Sequence, residues 1–384
     1  MKPQYELAQV IDQFGSPFIE RYQPNSYVQC VLRAIQHCRS STMGWHKDKC
    51  DQCGHIRISY NSCRNRHCPK CQNTHREAWI ENRKKDLLPV PYFHVVFTVP
   101  DKLNSLFLYD PLGMYNLLFR SVWETMVQFS WTNLHCQTGM ISILHTWGQN
   151  LSLHPHVHCI VPGGGIDIKG KWKQVRISKT GKSFLFRVEN LSAVFRGKFT
   201  HELQKLHPQE KSFIRDLKEN NWVVFAKEPF GGPQQVVEYL GRYTHKTAIS
   251  NHRLLSVDEN GVRFKYRDYR DNKQKQMTLS GTEFLRRFCQ HILPRGFVRI
   301  RHFGLLAVKN RHQLRQMQIS HGMEVPLKTE KKDWKQVCRE HLGYDPDLCP
   351  HCKKGKMVTI ERLVPARGPP VHIDRSQNTI KKQQ

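Results

Sequence analysis

The period of the apolar residues changes repeatedly along the chain, and each change marks an element. QNTHREAWIENRKKDLL (72–88) reads as a helix stopped by Pro89 and Pro91. YFHVVFTV (92–99) is a continuous run of aromatic and β-branched residues, the pattern of a strand. The stretch from Leu112 to Trp131 returns to helical spacing, with Met114, Leu117, Leu118, Val122, Met126 and Phe129 on one face. ISILHTW (141–147) and LHPHVHCIVP (153–162) are strands joined by a short connection, which predicts a hairpin. WVVFA (222–226) is another strand, and VVEYLGRYTHK (236–246) reads as helix, with Pro233 in its first turn. VRFKYRD (262–268) and FVRIRHF (297–303) are strands on either side of a helix opened by the capping-box spacing Ser280 to Glu283. Strands and helices in this order, with hairpin neighbours, predict an α+β class built on a mostly antiparallel sheet.

Chemistry enters at the strand after the hairpin turn. His154, His156 and His158 recur at every second position, so in a strand all three line one face. Each imidazole carries a polar nitrogen that must be paired when buried, and a shared metal ion is the simplest partner. Gly163-Gly164-Gly165 ends the strand.

Composition narrows the partner. The chain's 384 residues are enough for two or three domains, and 60 Lys+Arg against 32 Asp+Glu give a formal charge of +28. A balance so basic, spread along the chain, points to a nucleic acid held in a long groove rather than by one tail. No apolar run approaches the ~20 residues of a membrane span, and the N-terminus lacks a signal-peptide core. The expectation is a cytoplasmic, nucleoid-associated protein with no membrane partner. Nucleotide hydrolysis is not supported: Gly165, Gly170 and Lys171 have phosphate-loop spacing, but Trp172 stands where a Ser or Thr must reach magnesium, and Arg176 stands where SKTGKS needs its first glycine.

Thirteen cysteines concentrate toward the two ends. Cys50/Cys53 and Cys68/Cys71 are two Cys-x2-Cys knuckles at a spacing that suits one tetrahedral four-thiolate zinc site. Cys38, His46, Cys63 and His67 lie close enough in sequence to extend this to a second ion. Toward the other end, Cys338 and His341 with Cys349 and Cys352 have the makings of a Cys3His site. The expected organisation is a zinc-binding, DNA-recognition module at 1–88, a central domain at 89–320, and a basic C-terminal segment at 321–384 with a zinc knuckle and a polar tail. Arg64, Arg66, Lys70 and Arg76 are candidates for phosphate contacts, and Trp45, Tyr60 and Trp79 for stacking on unpaired bases.

If a metal polarises a phosphate, a nucleophile is needed. Tyr239 and Tyr243 are spaced four apart in the helical stretch, so both fall on one face. A phenol is a weak nucleophile near neutral pH unless a cation withdraws charge from the phosphate. Arg242, His245 and Lys246 are basic neighbours suited to that phosphate. The same spacing also suits plain core packing beside Val236, Val237 and Leu240.

His156-Val157-His158 resembles the His-hydrophobe-His signature of the HUH endonuclease superfamily. The order of motifs resembles the two-tyrosine rolling-circle transposases of bacterial insertion sequences across nearly the whole chain: SCRNRHCPKCQ, LLPVPYFHVVFTVP, LHTWGQNLSLHPHVHCIVPGGG, YLGRYTHKTAISNHRL and PRGFVRIRHFG. The resemblance implies an HUH domain around a central antiparallel sheet, with His156 and His158 holding Mg²⁺ or Mn²⁺ against the scissile phosphate of single-stranded DNA. It implies Tyr239 and Tyr243 as nucleophiles that form 5′-phosphotyrosine links and free a 3′-OH at insertion-sequence ends. A third ligand varies within the superfamily; His154, Gln149 and His245 are the candidates here. Alternatives are a plasmid replication initiator or relaxase sharing this chemistry, or a non-catalytic zinc-dependent DNA-binding protein.

Overall fold

The computed structural model describes residues 3–175, 185–227, 235–236, 238–239, 241, 246–268, 271–324 and 333–363. In chain order the strands are β1 (Trp45–Cys50), β2 (Ile56–Tyr60), β3 (Tyr92–Thr98), β4 (Gly139–Trp147), β5 (Leu153–Pro162), β6 (Gly164–Ile166), β7 (Trp172–Gln174), β8 (Val224–Ala226), β9 (Leu254–Asp258), β10 (Gly261–Arg267), β11 (Gln274–Leu279), β12 (Ile300–Gly304) and β13 (Met357–Leu363). The α-helices are α1 (Leu7–Tyr22), α2 (Ser26–Gln36), α3 (Gln72–Lys84), α4 (Asn104–Tyr109), α5 (Pro111–Phe129), α6 (Val188–Leu206), α7 (Lys211–Glu219), α8 (Gly281–Cys289), α9 (Arg311–Ser320) and α10 (Trp334–His341). The described residues between 235 and 241 are helical as well.

The chain separates into two compact units, one of Met1–Gln36 with Arg64–Tyr344, the other of His37–Cys63 with the described residues from Asp345 on. This differs from the boundaries expected near 88 and 320. In the smaller unit β13 pairs antiparallel with β1, Cys50 opposite Met357 and Trp45 opposite Leu363, while β2 pairs on the other side. A two-stranded β1–β2 ribbon is marginal alone, and the third strand comes from the far end of the sequence. Asp48, 4% exposed, ties the three strands together: it takes Arg57 Nη2 of β2 at 3.1 Å and Thr359 Oγ1 of β13 at 2.8 Å.

The larger unit is built on a five-stranded sheet in the order β12-β4-β5-β3-β8, antiparallel at every pairing. Strand alternation gives the sheet two chemically different faces. Phe93, Val95 and Phe97 of β3 with Val157, Cys159 and Val161 of β5 share one core cluster with the buried stripe of α5 and with Phe195 and Phe199 of α6. That stripe includes the expected Met114, Leu117, Leu118, Val122 and Met126. The helix is begun by Asp110, which accepts from Gly113 N at 2.9 Å, with Pro111 in the first turn. The opposite phase of the same strands carries the histidines. It is packed at one end by Ile80, Val236, Leu305 and Leu314 against Ile141, Ile143 and Ile160. A second sheet, β11-β10-β9, lies in the same unit. Ser280 caps α8 by accepting from Glu283 N, while the Glu283 carboxylate pairs with Arg286 and Arg287.

Candidate active site

The hairpin register builds the site. β4 pairs with β5 so that His145 stands directly opposite His156, placing both rings on the face shared by His158. One ligand nitrogen from each of His145, His156 and His158 lies within 4.8 Å of the others. His145 is 4% and His158 7% exposed, and His156 is half-buried. Burial lowers all the proton affinities that are resolved here: His156 is pushed down to about 4, chiefly by desolvation, and His158 is lowered further, by desolvation and then by His145. Neutral imidazoles are what a cation needs.

The neighbouring atoms also fix which nitrogen faces inward. His156 Nδ1 lies 2.7 Å from the backbone oxygen of His154, so Nδ1 carries the proton and Nε2 keeps its lone pair. His158 Nδ1 lies 2.9 Å from His94 Nε2 on β3, which again leaves Nε2 for a ligand role. Three imidazole nitrogens converging this way fit a divalent ion.

His154 is placed differently from the expectation. It is exposed, and it contributes its carbonyl to His156 rather than its ring to the group. The β4–β5 register shifts between His145 and Trp147, and such a bulge increases local twist. Gln149 lies exposed in the hairpin turn, its carbonyl bonded by Arg253, and His245 lies outside the described residues. Among the described residues, the third nitrogen that converges with those of His156 and His158 belongs to His145 on β4.

Tyr239 sits in the helical segment with its hydroxyl 3.4 Å from His94 Nδ1, the two rings edge to face. Lys227 Nζ lies 5.4 Å from the centre of the Tyr239 ring, and its backbone N–H donates to the His94 carbonyl at 2.9 Å. Gly241 brings this segment against α3, where a Cβ would overlap the Ile80 side chain. Tyr243 and Arg242 lie outside the described residues. Lys246 is exposed, and its carbonyl accepts from the buried Arg299 at 3.2 Å.

The cysteines regroup. Cys50 and Cys53 meet Cys349 and Cys352, not Cys68 and Cys71, with all four sulfurs within 4.8 Å. The Cys50–Cys352 and Cys53–Cys349 separations are both 3.7 Å. A tetrahedral ion with Zn–S bonds of ~2.3 Å has sulfur edges of ~3.8 Å, so the four thiols fit zinc. Backbone N–H groups reach two of the sulfurs, Cys53 N to Cys50 at 3.5 Å and Gly355 N to Cys352 at 3.3 Å. The backbone N–H of Gly355, and after it that of Lys354, pull the Cys352 thiol down to about 6. The expected Cys3His set is not formed. Cys338 Sγ lies 3.3 Å from the Tyr344 hydroxyl, and His341 pairs with Glu81 at 3.4 Å. In the smaller unit Cys63 N approaches Cys38 Sγ at 3.5 Å. His46 faces Asp48 at 3.6 Å rather than a thiol. In the larger unit Cys68 and Cys71 form a turn at the foot of α3, with Cys71 N bonded to the Cys68 carbonyl. His67 beside them is buried and held to about 3 by desolvation and by Arg66.

Two expected phosphate contacts are spent inside the fold. Arg66 donates to the carbonyls of Phe297 at 2.6 Å and Pro294 at 3.3 Å, and Lys70 pairs with Glu6. Arg64 is exposed.

Comparison with known proteins agrees with this architecture. Residues 139–313 match a family described as "Putative transposase", and residues 10–99 match a family described as a transposase zinc-binding domain. The chain is 42% identical to a protein of Sinorhizobium fredii named "Putative transposase y4qJ", over 97% of this chain and 98% of that one. The chain belongs to a family of transposases that carry a zinc-binding domain. This transposase is also 29% identical to the transposase for insertion sequence element IS801 from Pseudomonas savastanoi pv. phaseolicola, over 85% of this chain and 81% of the relative. Among solved structures, a copper-bound conjugative relaxase TrwC in complex with oriT DNA aligns at 13% identity and a TM-score of 0.23, over 66% of this chain and 71% of that one.

The residues that sequence reasoning missed, His94 and His145, each stood alone in an apolar strand. Their signal was positional: once the hairpin at 141–162 is predicted, cross-strand register places His145 beside the histidine face. Among the described residues no helix is long and apolar enough to cross a membrane.

Proposed function

We propose that this transposase cleaves and rejoins single-stranded DNA at the ends of its insertion sequence through 5′-phosphotyrosine intermediates, in a rolling-circle reaction. Tyr239 and Tyr243 are the nucleophiles. His145, His156 and His158 hold a divalent cation, Mg²⁺ or Mn²⁺, which when bound neutralises charge on the scissile phosphate. The observation that carries this reading is the convergence of three imidazole nitrogens on one sheet face, with Tyr239 connected to them through His94.

The Tyr239 oxygen attacks phosphorus, the bond from phosphorus to the 3′-oxygen breaks, and that oxygen leaves as a 3′-OH after taking a proton from water. The phosphotyrosine conserves the energy of the broken bond, so rejoining needs no nucleotide cofactor. Lys227 beside Tyr239 and the exposed Lys246 add positive charge where phosphates approach. The four-thiolate cluster holds Zn²⁺ as a structural ion and braces the small sheet, an arrangement suited to contacting element-end DNA. The partly exposed Trp45 and the exposed Tyr60 are available for that contact.

The test is a denaturing-gel assay for a covalent adduct between the purified full chain and single-stranded oligonucleotides spanning the flanks of its gene. A Mg²⁺- or Mn²⁺-dependent adduct is expected. Tight, salt-sensitive binding with no adduct on any strand would instead support a DNA-binding protein without catalysis.

A further inference from the structure

His94 is unaccounted for by any ligand or nucleophile role, yet among the described residues it is a ring that touches both His158 and Tyr239. It is 2% exposed at the centre of β3. Its Nε2 lies 2.9 Å from His158 Nδ1, with the rings stacked at an interplanar angle of 6°. Its Nδ1 lies 3.4 Å from the Tyr239 hydroxyl. A chain of hydrogen bonds through neutral imidazoles has one of two directions, because each ring carries a single proton that sits on one nitrogen or the other.

Resting on the reading of the site above, we propose that His94 is a positioning residue that transmits occupancy of the histidine centre to the nucleophile as a fixed hydrogen-bond direction. A His158 that gives its Nε2 lone pair to a cation must keep its proton on Nδ1, and it then donates to His94 Nε2. A His94 ring that accepts at Nε2 must carry its own proton on Nδ1, and it donates to the Tyr239 oxygen. In that state His94 is a donor to the tyrosine and not its base. The Tyr239 proton leaves to water, the oxygen's electron pair forms the bond to phosphorus, and the His94 N–H stabilises the phenolate along the way. An unloaded centre leaves the direction of the chain unset, so cutting is withheld until the ion is in place.

Two measurements separate this from a role in packing alone. The first is nitrogen NMR of the full chain labelled in its histidine rings and loaded with Mg²⁺, without DNA, with the His94 signals assigned from a His94→Gln sample. A neutral ring protonated at Nδ1 is expected; a proton on Nε2 overturns the proposal. The second compares His94→Phe with His94→Gln. His94→Phe removes the support of His158 and should weaken Mn²⁺ binding by ~10-fold or more. His94→Gln can still accept from His158 through Oε1, so it should restore affinity to within about threefold, but its freely turning amide does not hold a donor on the Tyr239 oxygen as the stacked ring does. Its adduct formation at saturating Mn²⁺ should therefore stay slowed by about 10-fold or more, the loss of one donor to a developing charge. Wild-type Mn²⁺ affinity in His94→Phe, or a wild-type adduct rate in His94→Gln, overturns the proposal. If the wild-type protein forms no adduct at all, the proposed function fails, while the NMR and affinity results still decide the direction of the chain.

Discussion

Replacing Cys349 and Cys352 together by serine tests the regrouped zinc site at the point where the structure departs most from the sequence expectation. Among the described residues, little buried apolar surface holds β13 to β1. The buried core cluster of the smaller unit is Cys50, Cys349 and Met357, and burial of a side chain such as methionine contributes only about 1.5–3 kcal/mol. Ordering each residue costs ~1.5 kcal/mol, so three short strands cannot be stable on that core. A structural zinc ion contributes ~10–16 kcal/mol on folding at neutral pH, which is the dominant favourable term. Losing half the ligands should remove one zinc ion per chain. It should also unfasten β13 from β1 and expose the Lys47 and Lys49 amides to exchange at least 100-fold faster, equivalent to ~2.8 kcal/mol. Amides of β4 and β5 in the larger unit should be unaffected. The assay is zinc content by atomic emission together with hydrogen exchange by mass spectrometry. Unchanged zinc content with protected β1 amides would refute the assignment, and so would a matching loss from Cys338→Ser.

Three further outcomes follow from the same geometry. His145→Ala should weaken Mn²⁺ binding by more than ~100-fold, because it removes a ligand and not merely a supporting group, whereas His154→Ala should stay within about threefold; calorimetric titration giving the reverse order would show that the third ligand is His154. His291 pins the hairpin turn, with Nε2 3.2 Å from the Leu151 carbonyl and Nδ1 3.3 Å from the Thr146 hydroxyl. Burial holds it at about 4, well below its ordinary 6.5. Its stabilising contribution is therefore complete above pH 6.5 and is lost as pH falls toward 4, by up to about 3 kcal/mol. The fall in Tm between pH 7 and 4.5 should be shallower in His291→Gln than in wild type, and parallel curves would show that His291 is not the group responsible.

The antiparallel core sheet was legible because its strands obey simple alternation and its helices a simple period. The stripe on α5, the capping Ser280 and the hairpin bearing His156 and His158 all follow from local pattern. Strand ends were less legible: β8 begins at Val224, not Trp222, whose indole is buried among Phe195 and Phe199. The failures were nonlocal. Sequence proximity paired Cys50 and Cys53 with Cys68 and Cys71, but the partners lie some three hundred residues away because the β1–β2 ribbon needs β13 to become a sheet. Periodicity put His154 on the correct face and could not see the register shift opposite it. Charge alone offered Arg66 and Lys70 to DNA, while the fold uses one to bind carbonyls and the other to pair with Glu6.

The most direct test of the central claim is the adduct assay run with Tyr239→Phe, Tyr243→Phe and the double variant, each with Mg²⁺ present or withheld. The account predicts a protein–DNA adduct that requires the ion, is altered by each single variant and is abolished in the double one. An adduct that survives in the double variant, or forms equally well without any divalent ion, would contradict it.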